Sequence, residues 1–146
     1  FKTQKMLSQS FKLDRYDWLI TVYYSIHTYH VDKIMDHLHR IGIKGKDAEL
    51  AYENLSSGEV NKGLTFAKNG EAIAVIGRAS SAAQYADSIQ HEVQHLAIFI
   101  AEAEGIPLKD EEVCYIGGEI ARKMWPKTTR LTSECGCYTY RIGKVL

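Results

Sequence analysis

Two prolines and three cysteines are all that this 146-residue chain contains of either, and it carries no net charge, with 18 Lys and Arg against 18 Asp and Glu. An odd, small number of cysteines does not suit a disulfide-stapled secreted domain, so a cytoplasmic, reducing setting is expected. The absent basic excess speaks against a nucleic-acid partner, and the nine tyrosines come with no basic stripe or RNA-binding signature. No apolar run approaches the ~18 residues of a membrane span. The opening Phe1 to Met6 lacks the apolar core of a signal peptide, so no membrane partner is expected. Repeats, low-complexity stretches and linkers are also missing, which predicts one domain over 1–146, with a core over about 16–126 and a tail over 127–146. What is present is a 45% hydrophobic, aromatic-rich composition typical of a folded domain, and six histidines.

The pattern of elements predicts an α+β domain. Trp18, Ile20, Val22, Tyr24 and Ile26 alternate with Leu19, Thr21, Tyr23 and Ser25, which reads as a strand with one face in a core. Ile34, Met35, Leu38 and Ile41 recur at helical spacing and stop at Gly42. A short helix follows from about Lys46 to Leu55. Leu64–Ala67 and Ala72–Ile76 flank Asn69-Gly70, the dipeptide suited to the positive φ values of a type I′ hairpin turn. Ser80 or Ser81 caps a long helix over about Ala82–Ala103, closed by Gly105 and Pro107. A last helix is predicted over about Asp110–Met124, with Val113, Gly117, Ile120 and Met124 inward and Pro126 beyond its end.

The long helix contains His91-Glu92-Val93-Gln94-His95, an H-E-x-x-H motif. Residues i and i+4 stand above one another on a helix, so both imidazoles can reach one zinc ion from one face. Glu92 follows the first histidine and is placed to act as general base on water rather than as a ligand. The plain alternative is a helix with two surface histidines and a solvated glutamate. A third ligand is needed, and the next helix begins Asp110-Glu111-Glu112. Glu111 is preferred, because it ends the small-residue strip of Cys114, Gly118 and Ala121. Glu112 falls on the side of Ile116 and Glu119. Both carboxylates could instead be solvated groups favoured by the helix dipole.

With these residues the chain resembles the gluzincin group of zinc metallopeptidases, and most nearly the small zincin-like proteins encoded by phages and bacterial mobile elements. The resemblance runs from about Gly63 to Met124, through Gly63-Leu64-Thr65-Phe66, Val75-Ile76-Gly77, Ser80-Ser81, the motif itself and the Glu111-to-Tyr115 segment. It implies a minimal zincin-like domain with a small, mainly antiparallel sheet and a hairpin packed on the motif helix. The helix after that would carry the third ligand. It further implies His91, His95 and Glu111 as Zn2+ ligands and Glu92 as the catalytic base. Thermolysin-like members carry an aspartate four residues after the ligand glutamate, where Tyr115 stands here.

The implied activity is metallopeptidase hydrolysis of a peptide or protein substrate by a zinc-activated water. Tyr115 is the candidate oxyanion stabiliser, with packing as its alternative role. The substrate is expected along the edge of the Ala72–Ile76 strand. Two other readings stand beside this one: a zinc-binding module without turnover, and a zinc amidase acting on cell-wall peptides. His27, His30, His37 and His39 are expected at the surface. Cys135 and Cys137 are expected to be a reduced, partly exposed pair, since a zinc ribbon needs a second pair.

Overall fold

Asn69 (φ 56°) and Gly70 (φ 81°) both take left-handed backbone, and the two-residue turn they make joins β3 (Leu64–Lys68) to β4 (Glu71–Ile76) as the dipeptide predicts. This is seen in a computed structural model that describes residues 7–24, 30–57 and 63–132. Upstream lie β1 (Leu7–Lys12), β2 (Leu19–Tyr24), α1 (Val31–Ile41) and α2 (Lys46–Ser56); downstream lie α3 (Ala82–Ala103) and α4 (Glu111–Leu131). The sheet order is β1-β2-β4-β3. Its outer pairs are antiparallel and its central pair, β2–β4, is parallel. The fold is therefore α+β with a small mixed sheet.

Both faces of that sheet are buried. Ile20, Val22 and Tyr24 of β2, with Ala72, Ala74 and Ile76 of β4, pack under α3 and α4. Tyr23, Ile73 and Val75 pack against α1 and α2. The expectation that β2 hides one face only is corrected. A strand buried on both faces is what a parallel pair between two helical layers requires. Each fully buried aliphatic, such as Ile20 or Ile73, contributes about 1.5–3 kcal/mol by leaving water.

Gly42 ends α1 in left-handed conformation (φ 103°), and its N–H bonds back to His39 and Leu38. The Ser81 side chain caps α3 by accepting from Gln84 N–H. Helix α4 departs from expectation, continuing through Pro126 to Leu131. Thr128 and Leu131 are buried beyond the proline, so packing of the final turns offsets the lost backbone bond. Its inward face is also rotated from the predicted one. Ile116, Glu119, Ile120 and Met124 are buried, and Val113 is only half-buried. Asp14 N–H donates to the buried Glu119 carboxylate, and Lys123 Nζ donates to Lys12 O at 2.7 Å, which pins α4 to the β1–β2 connection.

Candidate metal centre

His91 and His95 stand one turn apart on α3, and their Nε2 atoms approach to 3.1 Å. Two nitrogens bound tetrahedrally to one zinc at ~2.0–2.1 Å would lie roughly 3.3 Å apart, so the pair is close to ligand geometry without rearrangement. His91 is exposed and His95 half-buried, with the Phe99 ring stacked at 5.6 Å on the His95 imidazole. The pair is thus open to solvent on one side and propped by an aromatic on the other.

Glu92 is placed differently. It points under the helix to the sheet and is only 6% exposed. Its Oε1 accepts a 2.7 Å hydrogen bond from the Thr65 hydroxyl on β3. Its Oε2 lies 2.7 Å from where a side-chain carbon on Gly63 would stand. That hypothetical carbon would also lie 2.6 Å from Val75 O. Gly63 is therefore the residue that leaves room for the carboxylate. In the sequence Gly63 and Thr65 stand out only through the resemblance; the Thr65–Glu92 contact has no signature in spacing, because it joins residues 27 positions apart.

The α4 residues expected at the site are elsewhere. Gly117 packs on Ala97, symmetrically about the turn joining α3 to α4, so α4 runs back along α3. Glu111 then lies level with Ala103, about 12 Å along the axis beyond His95 at 1.5 Å per residue. The two helices meet along Val93, Ala97, Val113 and Gly117, whereas His91 and His95 lie nearly half a turn around α3 from Val93 and Ala97. Glu111 instead accepts from the Tyr115 hydroxyl at 3.2 Å, and the Arg15 guanidinium lies 4.9 Å from the Tyr115 ring centre. Glu112 is bound by Arg15 Nη1 at 2.8 Å and by the Tyr16 hydroxyl at 3.3 Å. The structure thus brings His91 and His95 together, turns the Glu92 carboxylate under the helix to Thr65, and places Glu111 beside Tyr115 and Glu112 beside Arg15. Among the described residues, no third His, Cys, Asp or Glu completes a metal-holding group with the pair.

The strand expected to present a peptide-binding edge, Ala72–Ile76, has no free edge, because it lies between β2 and β3. The outer strand on that side is β3, the one that holds Glu92. Two histidines expected at the surface are not there. His30 is buried, and the His37 side chain is only 12% exposed, with Nδ1 at 2.6 Å from the Tyr23 hydroxyl. Cys114 is a free, exposed thiol. His27, Cys135 and Cys137 lie outside the described residues. No described helix is long and apolar enough to cross a membrane.

Compared with known proteins, the chain matches no family model, no curated protein and no solved structure.

Proposed function

We propose that the chain is a zinc-dependent peptidase, with His91 and His95 as metal ligands and Glu92 as general base. The observation that carries this reading is the 3.1 Å approach of two Nε2 atoms on one helical face, with a buried, oriented carboxylate one residue after the first. Zinc, when bound, supplies a Lewis acid that polarises the scissile carbonyl and makes water more acidic. Glu92 would accept the proton of the attacking water and return it to the leaving amine, while the Thr65 bond to Oε1 fixes the orientation of Oε2. Strand β3 is an edge of the sheet among the described residues, and an extended peptide could add there. Resemblance to zincin-like proteins in the H-E-x-x-H segment supports the same reading.

A second reading, a zinc-binding module without turnover, is favoured by the burial of Glu92 and its engagement by Thr65, which also suit a purely structural acid. Zinc binding is common to both, so turnover must separate them. A peptide library is treated with zinc-loaded wild type and with Glu92→Gln. Turnover by wild type alone, at equal zinc content, supports the peptidase. Equal inactivity of both proteins with zinc bound supports the module.

A further inference from the structure

The outer face of α4 carries exposed apolar side chains, and its described contacts with the rest of the chain are polar and exposed, such as the Arg122–Asp14 ion pair and the Arg15 guanidinium over the Tyr115 ring. Trp125, Leu108 and Tyr115 are 59%, 52% and 49% exposed, and they account for three of the five large hydrophobics exposed among the described residues. Glu111, Gly118, Arg122 and Trp125 recur at spacings of seven, four and three, so they share the side turned from Ile116, Ile120 and Met124. At the centre of this face Gly118 is open, with nothing within 4 Å of a side-chain carbon placed on it. Beside it runs a groove of about 470 Å³ between α3 and α4, lined by Ile98, Leu108, Cys114 and Gly118 among others.

We propose that this face pairs with the same face of a second copy of the chain, antiparallel about a two-fold axis at Gly118. The geometry is self-complementary. Trp125 lies seven residues after Gly118 and Glu111 seven before it, so each Trp125 meets the Leu108–Glu111 end of the other α4. Its indole then enters the Leu108–Cys114 end of the groove. Arg122 comes within one turn of the other copy's Glu111, and the symmetry makes that ion pair twice. The intramolecular bond that Arg122 now makes, to Asp14 at 3.5 Å, is exposed on both sides and a weak competitor. Absence of a side chain at Gly118 permits the backbones to approach at the crossing. Charge complementarity and the matched apolar ends select a second copy over an unrelated partner. The two Cys114 residues would lie about 12 Å apart along the axis, beyond the ~7 Å Cα separation a disulfide tolerates, so the dimer forms without oxidation.

Sedimentation velocity on the full chain in reducing buffer, across a wide concentration series, tests this. Wild type should pass reversibly from monomer to dimer, and Trp125→Ala should weaken association at least about tenfold. Glu111→Arg and Arg122→Glu should each weaken it, because each sets like charges together twice. Mixing these two variants should restore a heterodimer, since both pairs are then opposite in charge. A wild type that stays monomeric throughout, as when the chain's own tail covers α4, overturns the proposal. So does a dimer indifferent to these substitutions, or a mixture that fails to associate. Circular dichroism establishes that each variant is folded before it is scored.

Discussion

Thr65 and Glu92, on an outer strand and on the motif helix, are joined by a 2.7 Å hydrogen bond that aims the carboxylate beneath the helix, toward the space left by Gly63. The acid at the centre of the H-E-x-x-H sequence is therefore positioned by the hairpin and not by the helix alone.

Substituting Gly63 should disturb that position. An alanine methyl would meet Val75 O at 2.6 Å and Glu92 Oε2 at 2.7 Å, and one contact is backbone that cannot swing aside. Gly63→Ala should destabilise the protein by about 1–3 kcal/mol, the usual cost of overpacking. Urea denaturation measures it, and an unchanged midpoint would show that both the strand at Val75 and the Glu92 carboxylate give way, so that Gly63 does not fix the carboxylate's position.

Zinc affinity should follow the geometry of α3 rather than the carboxylates of α4. His91→Ala and His95→Ala should each abolish most binding in calorimetric titration. Glu111→Ala should leave it unchanged, because Glu111 is beside Tyr115 on another face. A large loss of affinity in Glu111→Ala would restore that residue to the ligand set.

His37 makes stability depend on pH. Burial, aided by the Arg40 charge and opposed by Glu71, holds its imidazole below the usual 6.5. The unfolded chain thus takes up a proton near pH 6.5 that the folded chain resists. Stability should be full above that pH and decline as pH falls from there toward the lower folded value. Denaturation midpoints at several pH values for wild type and His37→Gln should show a shallower decline in the variant. Identical slopes would remove His37 as the cause.

Pro126 is tolerated inside α4 at a cost. It is exposed and cannot donate to the carbonyl of Arg122, so restoring the N–H should help. Pro126→Ala should stabilise by about 1–3 kcal/mol, up to the penalty of an interior helix proline. A loss of stability on denaturation would mean that the proline shapes the packing of Leu131.

Much of this architecture is legible where local chemistry decides it. Asn69-Gly70, the glycine after α1 and the serine before α3 each settle their own turn or cap, and the structure follows them. Strand β1 is not legible, because Leu7–Lys12 alternates half-buried with exposed residues, and only pairing with β2 makes it a strand. The length of α4 escapes for the opposite reason: a strong local stop at Pro126 is overridden by the buried Thr128 and Leu131. Within the candidate site, His91 and His95 are visible because their juxtaposition belongs to the helix repeat. The place of Glu111 is less legible, because helical spacing fixes which side of α4 it occupies but not how α4 lies along α3.

The parallel seam at the middle of the sheet also bears on the order of folding. Leu19 pairs with Glu71 across 52 positions of chain (71 − 19), whereas both antiparallel hairpins close locally. Loop-closure entropy makes the seam the late event, after the β3–β4 hairpin and α3 have assembled the Glu92 cradle from one continuous stretch of chain. Val22→Ala, which thins the seam, should therefore speed unfolding far more than it slows refolding in stopped-flow chevrons. A shift confined to the refolding arm would place the seam in the nucleus instead.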